Sequence, residues 1–462
     1  MLGYRVVLSA LVLAVVGCGD DANTLSSGEH NSGFASCSQA DKNSYWDHVL
    51  KQEYYWVNDL NHPQLSYPEY ANSNLFLADV LPLKDRFSNV TATENFNNQT
   101  QGQAFGLGVR LKISAEGLYV SQVYQNSSAD TAGLARGDQI LSVGGLSGSD
   151  LANLWLNGNY SKYNQAFGPN QDGYPVTLTW QASTGEEYQK TLNKSSFTVN
   201  TVPYAGILPS NAGKIAYLAF PEGFLKNSSE SLLNAFKFFK HSEFDHFILD
   251  LRNNRGGLLS QVGRLALYLS SERLSEQAFV EIRHNSKLSY LDSSETPEDL
   301  LTGEGLAPQL ITAIKNLSLN LTKMTVLTNR ASASASEVLI NSLDVEAYLD
   351  VTLIGETTFG KPVGFYPHPS YCGETLLAVN FATYNAAGDG DYLSGLQPDC
   401  PIADDAQPYP WGDTRDPVLA AAIADLSGQQ CPTLAAKFTA EPSTNEINSA
   451  NIPVLNLFGL TR

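Results

Sequence analysis

The feature that most restricts the fold is an alternation of apolar runs with amphipathic stretches from residue 197 to about residue 430. Residues 215–218, 247–251 and 325–328 are strand-like apolar runs. Between the first two, residues 229–239 place their large apolar side chains at helical spacing. Strands that alternate with amphipathic helices are typical of α/β domains, so this region predicts an α/β core.

Two regions of different pattern precede this core. Residues 38–103 repeat large apolar side chains such as Trp46 and Leu50 at helical spacing, which predicts a small helical domain. In residues 104–196, Val109 and its neighbours alternate as in strands, which predicts a β-rich domain. A chain of 462 residues has room for about three domains. The expected fold class is therefore multidomain α/β.

Composition excludes several classes of protein. The chain is 43% hydrophobic and 16% charged, which excludes a mostly disordered protein. Its 47 acidic and 28 basic residues give a net charge of −19, which disfavours nucleic-acid binding. The sequence contains no CxxC pair, no HExxH pair and no GxxxxGK[ST] phosphate loop. We therefore expect no metal and no cofactor.

The first residues have the pattern of a secretion signal. Arg5 precedes an apolar run over residues 6–16, which is shorter than the roughly 20 residues that span a bilayer, so residues 1–17 are predicted to be a signal peptide. The run ends in Val-Val-Gly-Cys18 and resembles the lipobox of bacterial lipoproteins. This resemblance implies a lipid on Cys18, a tether over residues 18–37, and a location in a Gram-negative cell envelope facing the periplasm. Gly follows Cys18 where Asp would favour the inner membrane, so the outer membrane is favoured. A plain signal peptide with an incidental cysteine is the alternative.

Four further cysteines allow two disulfides with three possible connectivities. A pairing of Cys372 with Cys400 is favoured because the two flank one short segment, which would leave Cys37 to pair with Cys431. Residues 436–462 are predicted to form a C-terminal tail.

The first candidate for chemistry is the run Ala-Ser-Ala-Ser-Ala-Ser-Glu over residues 331–337. Small residues at a strand-to-helix turn can expose a serine beside backbone N–H groups, where the helix N-terminus favours an oxyanion. Lys361 is the candidate base, because apolar surroundings would lower its pKa. A tightly packed helix start and a surface lysine are the simpler alternatives.

A second candidate is the loop Asp-Leu-Arg-Asn-Asn-Arg-Gly-Gly over residues 250–257, which follows an apolar strand. Its paired glycines allow close approach of a ligand to the backbone, although they are also typical of an ordinary turn.

These blocks, in this order, resemble the carboxyl-terminal processing peptidases, also called tail-specific proteases. The resemblance implies a PDZ domain over residues 104–196 and a ClpP/crotonase-like serine protease core over residues 197–435. By motif, Ser334 would be the nucleophile, Lys361 the general base, and the N–H groups of Gly256 and Ala335 the oxyanion hole. The PDZ carboxylate-binding loop would consist of Phe105, Gly106, Leu107, Gly108 and Val109. Ser332 and Ser336 compete with Ser334, because the Ala-Ser alternation leaves the register open.

The sequence departs from the family pattern in the loop over residues 250–257 and shortly after Lys361. Arg255 stands where proline is usual, and Phe365 stands where many members have a glutamine that orients the lysine. The resemblance implies a serine endopeptidase that acts on proteins or peptides with accessible C-termini and hydrolyses them with a Ser/Lys dyad. The departure at Phe365 motivates an alternative, a catalytically impaired, lipid-anchored module that binds peptide tails. A small-molecule esterase is a third hypothesis.

Overall fold

A computed structural model describes residues 36–61, 66–404 and 407–431 of the chain. The predicted signal peptide, the lipidation site Cys18, most of the tether and the tail 436–462 lie outside these ranges. Within the described ranges, no helix is both long and apolar enough to cross a bilayer. The same residues contain no group of three or more His, Cys, Asp or Glu side chains that could hold a metal ion.

The N-terminal unit is a group of short helices. Its elements are α1 (Gln39–Glu53), α2 (Ser73–Val80), β1 (Asn89–Ala92) and α3 (Thr93–Gln101), with 3₁₀ turns at Val57–Asp59 and Tyr67–Glu69. Ser38 caps α1 by accepting a hydrogen bond from the N–H of Asp41. Trp46 and Leu50, one helical turn apart, are buried in one cluster with Leu376 of the core. The unit therefore shares its apolar interior with the core.

The second unit is β-rich, as its alternating side chains predict. Its elements are β2 (Gln103–Gly106), β3 (Val109–Ser114), β4 (Gly117–Val123), α4 (Ser128–Ala132), β5 (Gln139–Val143), β6 (Leu146–Ser147), α5 (Gly148–Leu156), α6 (Tyr160–Phe167), β7 (Pro175–Gln181), β8 (Glu187–Asn193) and β9 (Ser195–Thr198). The antiparallel sheet has the order β3-β4-β5-β7-β8, and β2 pairs separately with β9. Helix α4 ends at Gly133, whose φ of 86° suits glycine. Val109 and Leu111 of β3 point into the buried interior with Trp180.

The third unit is the α/β core. Its elements are β10 (Tyr204–Ser210), β11 (Gly213–Ala219), α7 (Ser228–Lys240), β12 (His246–Asp250), α8 (Leu259–Leu274, broken at Ser270), β13 (Val280–His284), β14 (Ser293–Glu295), α9 (Pro297–Thr302), α10 (Pro308–Asn316), β15 (Lys323–Thr328), α11 (Ala335–Leu343), β16 (Asp350–Gly355), β17 (Val363–Gly364), β18 (Pro367–Pro369), β19 (Glu374–Leu377), β20 (Phe381–Asn385), β21 (Cys400–Pro401) and α12 (Pro417–Leu426), with a 3₁₀ turn at Ser289–Leu291.

The main core sheet has six strands in the order β10-β11-β12-β15-β16-β21. Strand β10 is antiparallel to β11, and the other neighbours are parallel. Phe247 and Leu249 of β12 pack in the cluster that holds α7, α8 and α11, whereas Ile248 packs in the cluster that holds α12. Because helices cover both faces, the strands are apolar on both sides. The predicted α/β core is confirmed.

The disulfides differ from the favoured prediction. The structure pairs Cys37 with Cys372 and Cys400 with Cys431, so the predicted bonds Cys372–Cys400 and Cys37–Cys431 are wrong. Cys372 lies in the turn between β18 and β19, and β19 pairs with β1 of the N-terminal unit, which brings the turn close to Cys37. Cys400 begins β21 and Cys431 follows α12, which packs on that end of the sheet. Closeness along the chain is a poor guide here, because sheet pairing places Cys372 and Cys400, and the packing of α12 places Cys431.

Candidate active site

Three loops that carry the sequence motifs meet at one edge of the core sheet. We name them the glycine loop (residues 251–257), the serine turn (residues 329–334) and the lysine loop (residues 356–361). They follow the carboxyl ends of β12, β15 and β16, which are adjacent parallel strands. Parallel strands bring their carboxyl ends to the same edge, where α/β domains place their sites. The three motifs are therefore brought together at one edge of the sheet.

The three serines of the Ala-Ser repeat over residues 331–337 have different surroundings. Ser332 is fully buried, and its hydroxyl donates to the carbonyl of Leu251 at 2.9 Å. Ser336 is also fully buried, and its hydroxyl donates to the carbonyl of Asn254 at 3.0 Å. Ser334 is partly exposed at the start of α11. Of the three serines, Ser334 is thus the one that a substrate can reach.

The backbone at Ser334 has an unusual conformation. Its φ is 54°, a region that non-glycine residues adopt rarely and that is enriched at functional sites. The N–H of Ser334 donates to Oε2 of Glu337 at 2.8 Å, which stabilises this conformation. The turn therefore presents the Ser334 side chain at the N-terminus of α11.

The glycine loop lies directly against the serine turn. A Cβ placed on Gly256 would lie 2.7 Å from Cβ of Ser334 and 2.8 Å from N of Ala335, so only glycine fits here. Ala335 is the first residue of α11, and its N–H has no acceptor within the helix. The N–H of Gly256 donates to Oδ1 of Asn254 at 3.0 Å. Both predicted oxyanion donors are thus beside Ser334, and that of Gly256 is held by a side chain.

Lys361 lies among aromatic rings. Its ammonium nitrogen is 4.1 Å from the ring centre of Phe365 and 5.9 Å from that of Phe87. Burial lowers the pKa of Lys361 to about 8, although the negative charges of Asp85 and Glu337 act in the opposite direction. The aromatic face at Phe365 stabilises the ammonium form through a cation–π contact. Phe365, at the expected glutamine position, is therefore in contact with Lys361, the predicted base.

Glu337 joins the serine turn to the lysine loop. Its Oε2 accepts the N–H groups of Ser334 and Lys361, both at 2.8 Å. Its Oε1 accepts the Thr358 hydroxyl and the N–H of Gly360. Burial raises the pKa of Glu337, and these four donors lower it. Glu337 was not among the site residues predicted from the sequence, although it belongs to the same motif as Ser334.

We expect Glu337→Gln to weaken both loops. The amide would present an NH₂ group to two N–H donors that now share Oε2, and a lost hydrogen bond to a buried charged group costs about 1.5–3 kcal/mol. The variant should therefore melt at lower temperature and cleave peptides about 10-fold or more slowly, with kcat rather than KM affected. Thermal denaturation and steady-state kinetics measure this. Glu346→Gln is the control, because it removes an exposed carboxylate beyond α11. Equal melting temperatures and equal kcat values in the two variants would contradict the role of Glu337.

Comparison with known proteins agrees with this geometry. Residues 214–402 match the model of peptidase family S41, and residues 97–155 match the model of the PDZ domain. The core is an S41 peptidase domain. The chain is 25% identical over 327 residues to a carboxyl-terminal-processing protease of Picosynechococcus, with 69% of each protein covered. It is 22% identical over 310 residues to the carboxy-terminal processing protease CtpB of Bacillus subtilis, which covers 66% of this chain and 56% of that protein.

A solved structure shows the same fold. The crystal structure of a putative S41 protease from Bacteroides fragilis superposes with a TM-score of 0.62 at 24% identity, and the match covers 83% of this chain and 96% of that one. The resemblance to carboxyl-terminal processing peptidases is thus confirmed, as is the combination of a PDZ domain with an α/β protease core.

The N-terminal unit contributes to the S41 site. The guanidinium of Arg86 donates to the carbonyls of Phe359 and Gly360, at 2.7 and 3.1 Å, and its Cζ lies 4.3 Å from the ring centre of Phe359. Asp85 accepts hydrogen bonds from the Tyr54 hydroxyl and from backbone N–H groups of its own turn. Arg86 therefore holds the lysine loop from outside the S41 core. Arg86 was not predicted from the sequence, because three charged residues between Leu83 and Phe87 are equally typical of a surface turn.

The PDZ domain contacts the S41 core through charged side chains of β3. Arg110 pairs with Glu222, and Lys112 pairs with Asp404 at 3.0 Å. The predicted carboxylate-binding loop, Phe105–Val109, joins β2 to β3 just before these residues. Among the described residues, β3 is an edge strand of its sheet. The loop and a strand edge able to pair with a peptide are thus on the side of the PDZ domain that contains the core contacts.

Proposed function

We propose that this chain is a serine endopeptidase with Ser334 as nucleophile and Lys361 as general base, and that its PDZ domain selects substrates by their C-terminal tails. The observation that carries the proposal is the shared carboxylate of Glu337, which accepts the N–H groups of both Ser334 and Lys361. It links a partly exposed serine to a lysine whose burial lowers its pKa to about 8.

The chemistry follows from this arrangement. Neutral Lys361 would take the proton of Ser334 as Oγ attacks the peptide carbonyl, and the resulting ammonium would give that proton to the departing amine. The N–H of Ala335, at the N-terminus of α11, would stabilise the negative carbonyl oxygen. The N–H of Gly256 would donate a second hydrogen bond to this oxygen once its hydrogen bond to Oδ1 of Asn254 breaks. Water would then hydrolyse the Ser334 ester and complete the cycle.

Tail recognition is supported by the position of β3. An extended peptide can pair with an edge strand, while N–H groups of the preceding loop bind the terminal carboxylate. In this chain the loop is Phe105, Gly106, Leu107, Gly108 and Val109, and β3 continues from it. The substrates would be proteins or peptides with accessible C-termini.

We also propose that the protein is attached to the cell envelope of a Gram-negative bacterium, preferably the outer membrane, by a lipid on Cys18. The apolar run before Cys18 supports this location. Two disulfides among the described residues also support it, because disulfides persist in oxidising compartments such as the periplasm.

One alternative has structural support. Phe365 offers a ring instead of a hydrogen-bond acceptor to Lys361, and Asn254 holds the N–H of Gly256. Both features suit a catalytically impaired module that binds peptide tails without turnover.

The deciding experiment combines digestion with covalent labelling. The purified protein is incubated with an unfolded model protein that ends in an apolar tail, and the products are identified by mass spectrometry. In parallel, a fluorophosphonate labels activated serines, and the labelled peptide is mapped. Cleavage with label on Ser334 is expected. Tail binding without cleavage or label would support the binding module, whereas hydrolysis of small esters without peptide cleavage would support an esterase.

A further inference from the structure

Three hydrogen-bonded side chains cross the second sheet of the core, which has the strand order β14-β13-β20-β17. His284 ends β13; its Nδ1 lies 3.1 Å from Oδ1 of Asp292, and its Nε2 lies 3.0 Å from the hydroxyl oxygen of Tyr366. Because an ionised carboxylate can only accept hydrogen bonds, Nδ1 carries the proton, and in the neutral ring Nε2 accepts the Tyr366 O–H. We name these three residues the histidine chain. The mechanism proposed above does not use it.

The histidine chain is held firmly in place. The side chain of His284 is almost fully buried, and the backbone N–H of His284 also donates to Oδ1 of Asp292, at 2.7 Å. The rings of His284 and Tyr366 lie nearly parallel with centres 5.9 Å apart, and both pack on the ring of Phe381 in β20. Burial raises the pKa of Tyr366 to about 12, so its hydroxyl keeps the proton that it donates.

Tyr366 is also held through its backbone. The N–H of Tyr366 donates to Oδ1 of Asn380 at 2.8 Å, and the N–H of Asn380 donates to the carbonyl of Gly364 at 3.0 Å. Asn380 is fully buried. Phe365 is the residue between these two hydrogen bonds, so the segment that carries its ring is fixed on both sides.

Phe365 connects this segment to the predicted base. Its ring centre lies 4.1 Å from the ammonium nitrogen of Lys361, which is a cation–π contact. A phenyl ring has no hydrogen-bonding group, so its effect on Lys361 depends on where the ring lies. A shift of Tyr366, the next residue in the chain, would therefore change the contact between Phe365 and Lys361.

We propose that the histidine chain positions the base: by fixing Tyr366, it holds the ring of Phe365 against Lys361, at the position where the family pattern has a glutamine. Asp292, His284 and Tyr366 are positioning residues, because they act on Lys361 through Phe365. The inference rests on the proposed function, because it assigns an orienting group to the base of that site.

Tyr366→Phe tests the proposal, because it removes the hydrogen bond to His284 and keeps the ring that packs on Phe381. The readout is the pH midpoint of kcat/KM. Loss of the cation–π contact in Phe365→Leu should lower this midpoint by about 0.5–1 pH unit. Tyr366→Phe should lower it by about 0.3–0.5 pH unit, since the ring is loosened and not lost. Added to Phe365→Leu, it should cause no further shift, because both changes act through one contact.

Tyr384→Phe is the matched control. Tyr384 lies on β20 of the same sheet, and its hydroxyl is 3.4 Å from that of Tyr55, so the control also removes a hydroxyl contact. Its midpoint should equal that of the unmodified protein. Asp85 and Glu337, the carboxylates whose charges act on Lys361, are unchanged in every variant.

A second measurement needs no turnover. In full-length Ser334→Ala, acetic anhydride labels neutral amines, and the yield on Lys361 at each pH, read by mass spectrometry, gives the midpoint of Lys361 itself. An unchanged midpoint in Tyr366→Phe, or an equal further shift in the presence of Phe365→Leu, overturns the proposal. The expected labelling midpoints without any peptide cleavage would support the positioning role and contradict the proposed function.

Discussion

Replacing Ser334 with alanine should abolish peptide cleavage, with a fall in kcat of at least about 10⁴-fold. The lost Oγ is the atom that would bond to the substrate carbonyl, so no other step of the mechanism can compensate. Alanine keeps the Cβ that lies against Gly256 and can keep the N–H donated to Glu337. The fold and the affinity for a tail peptide should therefore be unchanged, as measured by thermal denaturation and fluorescence anisotropy.

Ser336→Ala is the matched control for this variant. Its hydroxyl is lost from the same helix start, yet the carbonyl of Asn254 still accepts the N–H of Ala333. The loss of one buried hydrogen bond should destabilise the protein by about 1 kcal/mol and leave most of the turnover. Cleavage that survives Ser334→Ala and disappears in Ser336→Ala would show that the register of the nucleophile is wrong.

The approach of the glycine loop to the serine turn could be predicted, because each follows a strand of the same sheet, whereas β16, which precedes the lysine loop, was not identified from the sequence. Apolar runs identified β12 and β15, and the topology of α/β sheets places the residues after such strands at one edge. Which serine of the repeat is exposed at the start of α11, however, follows only from the three-dimensional structure. In the sequence Ser332 and Ser336 compete with Ser334, and in the structure burial and backbone conformation separate them.

Contacts between distant segments could not be predicted in this way. Arg86 lies 273 residues before Phe359, whose carbonyl it binds, and no local pattern connects them. The predicted disulfide pairing was wrong for the same reason, since Cys37 is 335 residues from its partner Cys372. Such pairs depend on how the N-terminal unit packs on the core. The part of the site that the sequence predicted is local, and the part that it missed is held by packing between units.

Replacing Lys361 with methionine should lower kcat by about 10²–10⁴-fold, the usual contribution of a general base. Methionine keeps the length and apolar stem of lysine, so contact with Phe365 and Phe87 is retained. Because burial disfavours the charged lysine, the folded protein should lose no stability at pH 7 and can gain some. A lower melting temperature with unchanged kcat would assign Lys361 a structural role.

The pH dependence separates a base from a packing residue. Lys361 must be neutral to accept a proton, so kcat/KM should rise with pH and level off above a midpoint near 8. At pH 7 about one-tenth of the lysine is neutral. The ring of Phe365 stabilises the ammonium form, so Phe365→Leu should shift the midpoint downward by about 0.5–1 pH unit. In Lys361→Met the rise of kcat/KM with pH should be absent. A rise that persists in this variant would mean that another group accepts the proton of Ser334.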